Sequence, residues 1–341
     1  MKMTFNDIFI DSTKKGRKIL KENYHSRGKI PIIDQGKNQV SGFSDEKMGI
    51  YKEIPVIIFG DHTRIIKYVD YPFLLGADGV KILSIKTNKF IAKYLYYALL
   101  NYYIPDTGYN RHFKWLKNFT LNVNSIDEQK RIVIILDKIV TMIDKKKKQI
   151  NLLEELVKSR FIEMFGDPIK NEKGWEVKKW EKILKIINGK NQRKVESKNG
   201  KYDIFGSGGK IGKANDWLVK ENSVLIGRKG SINKPIIVKE KIWNVDTVFG
   251  LEPNIEIINC DYLYYFCYFY DFERLNKAVT IPSLTKKDLL KIDIPIPPLV
   301  LQEKFVLIHK SINKLKFEAE KSLKEMENLY ESLMQKFFKQ N

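Results

Sequence analysis

The pattern of apolar and polar positions divides the chain into two kinds of segment. Residues 126–165 and 299–338 contain neither glycine nor proline, and in both stretches apolar residues recur at alternating steps of four and three positions. The first stripe runs from Ile132 to Met164, and the second has the same length and phase. The polar residues that interrupt the two stripes are Lys146, Arg160, His309 and Lys316.

This four-three spacing is typical of a coiled coil. It predicts two long helices, each forming a rod about 60 Å long at the rise of an α-helix. An alternative stays open, in which two amphipathic helices each pack only on their own domain. The equal length and matching phase of the two stripes favour the coiled coil.

The remaining stretches, 1–125 and 169–298, have a different composition. They are rich in glycine, asparagine and tyrosine, and short β-prone runs such as Ile54–Phe59 and Pro235–Val238 are separated by glycine-containing loops. Such alternation predicts a mixed α/β globule in each stretch. The fold class is therefore α+β, with two globules and two long helices.

Local signals mark the boundaries between globules and helices. Ser125 is a candidate N-cap with Glu128 three residues later, and Gly166 followed by Pro168 stops the first helix. The prolines of the stretch 294–299 keep it extended until the second helix begins. The predicted segments are 1–125, 126–168, 169–298 and 299–341.

The two halves of the chain repeat each other. The sequence Tyr-Leu-Tyr-Tyr at Tyr94 recurs at Tyr262, 168 positions later, and Asp78 meets Asp246 at the same shift. Further along, Gln129 meets Gln302 at a shift of 173. The offset between matching residues rises gradually along the chain, and the matches keep the same order in both halves. This indicates a duplicated module of a globule followed by a helix. A duplicated module predicts a pseudo-twofold relation between the two copies.

The charge of the chain points to a polyanionic partner. Lys and Arg number 61 against 41 Asp and Glu, a formal net charge of +20. Nucleic acid is the first candidate for such a partner and an anionic membrane surface the second. Only two cysteines occur, and no apolar run approaches 18 residues. We therefore expect a cytoplasmic protein that has no disulfide framework and does not span a membrane.

Signals for catalysis or for a bound cofactor are weak. The glycine-rich stretch 206–213 misses the spacing of a phosphate-binding loop, so we interpret it as a flexible loop. The four histidines are scattered without metal-ligand spacing, and Cys260 and Cys267 read as core residues. No Asn-Pro-Pro-aromatic element for amino methylation is present. We expect no metal, no cofactor and no catalytic residues in this chain.

Side chains able to contact DNA are concentrated in loops at matching places of the two modules. Arg can bind guanine, Asn and Gln can bind adenine, and Lys, Ser and Thr suit phosphate. A solvated loop is an equal alternative for any single residue, and the run 145–148 of four lysines reads as a solvated helix face. The candidates in the first globule are Gln35, Lys37, Asn38, Gln39, His62, Thr63, Arg64, Asn110, Arg111, His112 and Lys114. Those in the second globule, whose last loop begins at Thr280, are Ser207, Lys210, Lys213, Arg228, Lys229, Ser231, Asn233, Ser283, Thr285 and Lys286.

These features together resemble the specificity (S) subunits of type I restriction–modification systems, over essentially the whole chain. The motifs that carry the resemblance are Phe165–Pro168, Ile294–Leu299, Gly227–Ser231 with Trp243–Thr247, and Gly60–Thr63 with Arg111–Lys114. One departure is that no Pro-Pro pair precedes the first long helix, where Asn122–Ser125 stands instead.

The resemblance implies a non-catalytic subunit that recognises double-stranded DNA. Each globule would be a target-recognition domain that reads one half of an interrupted target. The two helices would pack antiparallel and dock two methyltransferase (M) subunits, which use S-adenosylmethionine to methylate adenine N6. Restriction (R) subunits are further candidate partners. The competing hypotheses are a stand-alone DNA-modifying enzyme, a DNA-binding scaffold that does not read sequence, and a membrane-surface protein.

Overall fold

A computed structural model describes residues 1–76, 79–276 and 281–339, so Asp78 and Thr280 lie outside the described residues. The chain forms two compact units. One comprises Met1–Lys146 with Ser322–Asn341, and the other comprises Lys147–Lys321. Each of the two long helices therefore contributes one part to each unit.

The first globule, residues 1–125, is built on a four-stranded antiparallel sheet. In chain order its elements are β1 (Lys2–Thr4), α1 (Phe5–Ile8), β2 (Phe9–Asp11), β3 (Ile30–Ile33), β4 (Gly42–Ser44), β5 (Val56–Gly60), β6 (Ile66–Val69), β7 (Leu74–Leu75), β8 (Val80–Ile85), α2 (Ala92–Leu100), α3 (Phe113–Leu116) and β9 (Thr120–Asn122). The main sheet has the order β2-β8-β5-β6, a second sheet has the order β4-β3-β7, and β1 pairs with β9.

A long helix, α4 (Ile126–Phe165), follows, and the second globule, residues 169–298, then repeats the arrangement. Its elements are β10 (Glu176–Lys179), α5 (Trp180–Ile183), β11 (Leu184–Asn188), β12 (Tyr202–Gly206), β13 (Gly209–Ala214), β14 (Ser223–Gly227), β15 (Ile236–Val238), β16 (Ile242–Asn244), β17 (Val248–Pro253), α6 (Cys260–Phe269), α7 (Lys286–Leu289) and β18 (Asp293–Ile296). The second long helix is α8 (Leu299–Phe338). Short 3-10 helices cover Thr13–Lys15, Lys21–Asn23 and Phe272–Leu275.

The sheets of the second globule match those of the first strand for strand. Their orders are β11-β17-β14-β15 and β13-β12-β16, and β10 pairs with β18. A parallel pairing of strands recurs too, since β3 runs parallel to β7 and β12 runs parallel to β16. The predicted α+β fold and internal repeat are confirmed.

The central strands β5 and β14 are buried along their whole length. In β5, Ile57 and Phe59 face one apolar core, whereas Val56 and Ile58 face another. A strand covered on both faces needs apolar residues at successive positions rather than at alternate ones. This requirement explains the uninterrupted apolar run in the sequence.

The ends of the first long helix follow the predicted signals. The backbone N–H of Glu128 donates to the Ser125 hydroxyl (3.2 Å), which caps the start of α4. At the other end Gly166 has a φ of +77° and its N–H donates to the Ile162 carbonyl (2.7 Å). Glycine tolerates this left-handed conformation, so the helix stops here as expected.

The predicted stripe is correct for most of α4 and wrong near its end. Ile132, Leu136, Ile139, Ile143 and Val157 are buried, as the four-three spacing requires. Beyond Val157, however, the buried residues are Phe161 and Phe165 rather than Arg160 and Met164. The same change occurs 173 positions later in α8, where Met334 and Phe338 are buried and Leu333 and Phe337 are only half-buried.

The change of stripe arises because the end of each helix packs on a globule. Phe161 lies in the core of the second globule, where its ring centroid is 5.4 Å from that of Tyr262 and 5.5 Å from that of Phe305. Met334 and Phe338 lie in the core of the first globule. The end of each long helix thus packs on the globule of the other module, which the alternative of packing only on its own domain does not allow. The helices share a stripe, and their ends serve as core elements.

Within the unit Lys147–Lys321, the two helix segments run antiparallel. Phe161 of α4 contacts Phe305 of α8, whereas Glu154, earlier in α4, forms an ion pair with Lys316, later in α8. Residues later in α4 thus contact residues earlier in α8, as in an antiparallel pair of helices. This order agrees with the antiparallel packing that the resemblance implied.

A buried glutamine fixes each long helix to its globule. The side-chain oxygen of Gln129 accepts a hydrogen bond from the Ile91 N–H (2.9 Å), and that of Gln302 accepts one from the Asn259 N–H (2.8 Å). Both glutamines are fully buried, so loss of these partners would carry the cost of an unsatisfied polar group. Their amide groups donate to the carbonyls of Lys89 (2.8 Å), Asn124 (3.0 Å), Ile257 (3.2 Å) and Pro297 (2.8 Å).

A polar cluster, buried at Asp261 and His309, also joins α6 to α8. Asp261 accepts a hydrogen bond from His309 Nδ1 (2.9 Å) through one oxygen and pairs with Lys239 Nζ (2.9 Å) through the other. Burial raises the pKa of this carboxyl, but the bonds from His309 and Lys239 outweigh it and hold the pKa below its usual value. The ionised form of Asp261 therefore stabilises the contact.

Candidate nucleic-acid interface

In the first globule, the turn that follows β5 gathers several of the predicted residues. The side-chain oxygen of Gln35 accepts a hydrogen bond from the His62 N–H (3.1 Å), and the Thr63 hydroxyl donates to the Gln35 carbonyl (2.7 Å). Arg64, in the left-handed conformation with a φ of +62°, forms an ion pair with Asp106 (2.5 Å). These contacts join the β5–β6 turn to the loop after β3 and to the loop after α2.

His112 is a positioning residue, because its side chain is fully buried and has no surface through which to meet DNA. Its Nδ1 donates to the Asp61 carbonyl (3.0 Å) and its backbone N–H donates to the same oxygen (2.8 Å). The Asp61 carboxylate accepts from the Phe113 N–H (2.7 Å), at the start of α3. The prediction of a DNA contact at His112 is thus corrected, since the ring is used to hold the loop of residues 106–111 against β5.

That loop presents a residue that sequence reasoning missed. Tyr109 is 88% exposed, and its ring stacks on that of His62 with centroids 4.8 Å apart and planes 10° apart. Asn110 and Arg111 beside it are also exposed, so both stay available for the predicted DNA contact. The sequence held a signal for Tyr109, namely a large aromatic residue between Gly108 and two polar residues. A criterion based on hydrogen-bonding side chains such as Asn and Arg does not select an apolar ring.

The remaining candidates of the first globule lie on either side of this cluster. Lys37 and Lys114 are exposed, and the Lys114 ammonium lies 5.3 Å from the centroid of the Trp115 ring. The Asn38 carbonyl accepts from the buried Lys67 ammonium (2.6 Å). The Gln39 amide donates to the Tyr68 carbonyl (2.8 Å).

In the second globule, the turn after β14 occupies the equivalent place. Lys229 and Ser283 form an isolated β-bridge, and the Gly230 N–H donates to the Pro282 carbonyl (3.1 Å). The guanidinium carbon of Arg228 lies 5.7 Å from the centroid of the Phe249 ring. Arg228, Lys229 and Ser283 are thus brought together. Ser231 follows in the same turn and is half-buried.

The stretch 206–213 is a β-hairpin, so its interpretation as a flexible loop is wrong. Strands β12 and β13 pair antiparallel around Ser207 and Gly208, which places Lys210 and Lys213 on a strand. Gly209 has a φ of +123°, a conformation that favours glycine and permits the tight turn. Gly208 and Gly209 therefore serve the turn.

The two hairpin lysines share one carboxylate. Lys210 Nζ lies 2.9 Å and Lys213 Nζ 2.7 Å from the carboxylate oxygens of Asp203. Partial burial raises the pKa of Asp203, but the hydrogen bonds from the lysines hold it below its usual value. The cluster keeps a net positive charge of about one, available to a phosphate.

Three further predicted residues make contacts that hold the fold. The Asn233 side chain accepts from the Phe272 N–H (2.8 Å), and the Thr285 hydroxyl accepts from the Asp288 N–H (3.2 Å) to cap α7. Lys286 Nζ donates to the Ile186 carbonyl (2.9 Å). These bonds give the three side chains structural roles.

Backbone hydrogen bonds establish which site residues correspond. The N–H of Asp61 donates to the Gly79 carbonyl (2.6 Å), as that of Arg228 donates to the Thr247 carbonyl (2.7 Å). The Asp61 carbonyl accepts from the His112 N–H (2.8 Å), as the Arg228 carbonyl accepts from the Leu284 N–H (2.9 Å). Asp61 therefore corresponds to Arg228. By the same frame, the pairs that follow along the loops are His62 with Lys229, Arg111 with Ser283, and Tyr109 with Ile281.

Other chemistry is sparse in the described part of the chain. Among residues 1–76, 79–276 and 281–339, no three His, Cys, Asp or Glu side chains gather in a way that could hold a metal ion. Cys260 and Cys267 are buried core residues, as predicted, and burial raises the pKa of the Cys260 thiol to about 12. None of the described helices has the length and apolar character needed to cross a bilayer.

Comparison with known proteins identifies the family. A family model described as "Type I restriction modification DNA specificity domain" matches residues 1–155 and again 172–328. The chain belongs to this family. Its two matches fall on the two modules of the internal repeat, so each module is one specificity domain.

Relatives of this type I specificity protein are found among curated sequences. The EcoR124I/EcoR124II specificity subunit of Escherichia coli is 30% identical over 130 residues, which cover 36% of this chain and 32% of the relative. The MjaIX specificity subunit of Methanocaldococcus jannaschii is 33% identical over 137 residues, 33% of this chain and 32% of the relative. Each match thus spans about a third of the relative's length.

Among solved structures, the S subunit of a type I restriction–modification system from M. genitalium shares the fold. Its crystal structure aligns with a TM-score of 0.69 and covers 100% of this chain and 96% of the other. The sequence identity is 19%, so this likeness concerns the fold alone.

Proposed function

We propose that this chain is the DNA-recognition subunit of a type I restriction–modification complex and that it reads an interrupted, two-part target. Each globule reads one half of the target through the loops that follow its central strand. The chain itself performs no catalysis and acts in the cytoplasm.

The observation that carries this proposal is the exchange of residues at matching loop positions. The backbone frame is the same in both globules, yet His62 stands where the second globule has Lys229, and Arg111 stands where it has Ser283. Donors and acceptors of different kinds contact different base edges. Two globules with the same backbone fold and different loop side chains suit a target whose two halves differ in sequence.

The charge of the chain supports a DNA partner. With a formal net charge of +20, it carries enough Lys and Arg to neutralise several phosphates. Exposed lysines such as Lys37, Lys114 and Lys229 lie on or next to the loops that hold the candidate base contacts. Phosphate contacts position a protein on the duplex, while the neighbouring loop side chains read the bases.

The proposed partners follow from the same role. Two methyltransferase subunits bind the long helices, use S-adenosylmethionine and methylate adenine N6 within each half of the target. Restriction subunits join the same complex in the systems that have them. In this scheme the methyltransferase subunits hold the only cofactor.

Mapping methylated adenines in genomic DNA tests the proposal. Cells that produce the methyltransferase partner with this chain should show N6-methyladenine at one interrupted sequence, and cells without this chain should not. Methylation that is unchanged by removal of the chain would refute the proposed role.

A second measurement separates the competing classes. Purified chain incubated with DNA and labelled S-adenosylmethionine should transfer no label, since catalysis belongs to the partner. A scaffold that does not read sequence would bind all duplexes with equal affinity at each salt concentration. The complex proposed here should instead prefer the mapped sequence by a factor that persists as salt increases.

A further inference from the structure

Both globules expose a large apolar residue at the same position of the fold. Tyr109 is 88% exposed and its counterpart Ile281 is 60% exposed. Each precedes by three positions the residue, His112 or Leu284, whose N–H bonds to the turn after the central strand. His112 and Leu284 are buried, so each exposed apolar residue lies three positions before a buried residue that fixes its segment to the globule.

The loop that carries Tyr109 is held in a defined conformation. Asp106 at its start pairs with Arg64 and also accepts a hydrogen bond from the Gly108 N–H (3.0 Å). The Asn110 side chain donates to the Thr107 carbonyl across the turn. The stack on His62 then covers one face of the tyrosine ring and leaves its edge and other face exposed. The ring is thus ordered before any partner binds.

The fold does not account for apolar side chains at these two places. An exposed apolar side chain contributes little burial free energy, so packing does not explain Tyr109 or Ile281. What Tyr109 and Ile281 share is an apolar contact surface. Isoleucine has no π system, so base stacking cannot be the common role.

In the major groove, the apolar feature of a base pair is the C5-methyl group of thymine. An exposed apolar side chain beside donors such as Arg111 suits this feature, because the donors bond the polar base edges while the apolar side chain contacts the methyl group. We propose that Tyr109 and Ile281 each contact a thymine methyl group, one in each half of the target. This inference rests on the proposed function and names two of its specificity-determining residues.

The test uses the full chain in complex with its methyltransferase subunits and a duplex carrying the mapped target. Each thymine is replaced in turn by uracil, which pairs in the same way but lacks the methyl group. For the wild-type complex, one uracil in each half should weaken binding by about fourfold, the factor expected for one buried methyl group.

The variants assign each methyl group to a residue. Tyr109→Ala should weaken binding to the thymine duplex and abolish the uracil effect in one half, while the uracil effect in the other half persists. Ile281→Ala should do the reverse. The matched control is Tyr109→Phe, which keeps the ring and its stack and should retain wild-type sensitivity to uracil. Tyr109 and Ile281 lie outside the apolar cores, so the alanine variants should fold normally.

Three outcomes would overturn the inference. The first is a wild-type complex that binds every uracil duplex as tightly as the thymine duplex. The second is a Tyr109→Ala complex that keeps its uracil sensitivity, which would assign the methyl contact elsewhere. The third is a Tyr109→Ala complex that binds every duplex more weakly by the same factor, whichever half carries the uracil. That result is expected if the ring inserts between bases without preferring thymine. Failure to map any methylated sequence would instead refute the proposed function, and this inference with it.

Discussion

A fragment of residues 1–168 should form a dimer. It lacks the part of the first globule's core that α8 supplies, and the end of its own α4 can take that place in a second copy. In the whole chain, Met334 and Phe338 of α8 pack in that core, and the ring centroid of Phe338 is 5.1 Å from that of Tyr94. The Asn101 side chain also donates to the Phe338 carbonyl (3.1 Å). The fragment lacks all of these contacts.

The magnitude can be worked from burial. Met334 and Phe338 are each 5% exposed, and burial of such a side chain contributes about 1.5–3 kcal/mol. The monomeric fragment therefore forgoes about 3–6 kcal/mol. The residues 173 positions earlier are Phe161 and Phe165, which lose their own partners because the second globule is absent. A second copy can insert these rings where Met334 and Phe338 were, and the exchange occurs twice in a dimer.

The assay is the mass of the purified fragment in solution, followed by methylation mapping with the methyltransferase partner. We expect a dimer with identical readers, so its target should be an interrupted palindrome built from one half of the parent site. Phe161→Asp in the fragment is the matched control and should give a monomer. A folded monomer of the unmodified fragment would refute the exchange of helix ends, and a dimer that directs methylation to a non-palindromic site would refute the shared reader.

Three further predictions concern the whole chain. Replacing Arg228 and Lys229 by Ala should cost about 1–3 kcal/mol at one half of the target and leave preferences at the other half intact, as methylation mapping would show; equal loss at both halves would contradict separate reading. Leu153→Asp and Leu323→Asp should each lower the unfolding free energy by about 1–3 kcal/mol and prevent assembly with the methyltransferase; normal denaturation curves and normal complexes would mean that the stripe faces solvent. The pKa of Asp261 is depressed in the folded state, so its stabilising effect is complete above the unfolded pKa of about 3.9 and fades as pH falls through the lower folded pKa. The stability difference between wild type and Asp261→Asn, measured by urea unfolding, should shrink below about pH 4, and a constant difference would contradict this origin.

Sequence periodicity predicted the helices well because helix formation and the shared stripe depend on local spacing. The cap at Ser125 and the stop at Gly166 are likewise local, and both are present. The pattern failed beyond Val157, where the helix packs on a globule instead. Phe161 and Phe165 are four apart, and a spacing of four is also compatible with a helix stripe. Only the tertiary contact decides which stripe is buried.

The site was harder to predict because side-chain roles depend on neighbours that are distant in sequence. Gln35 and His62 were grouped correctly as loop residues of one module, and the structure brings them into contact. His112 could not be recognised as buried, since the Asp61 carbonyl that binds it lies 51 positions earlier. Likewise, Tyr109 acquires its ordered position from a stack with His62 that no local pattern encodes.

The two modules agree at the buried glutamines that fix the long helices and differ at exposed loop positions. Gln129 and Gln302 are both fully buried, and each bonds equivalent backbone groups, so a substitution there would leave polar atoms unsatisfied. Tyr109 and Ile281 are exposed, so a change of side chain there alters what the loop can contact with little effect on stability. New recognition can therefore arise in one globule without weakening its attachment to the long helices or changing the other globule. In the proposed role, this separation of a buried frame from exposed loop residues would allow one duplicated fold to read two different sequences.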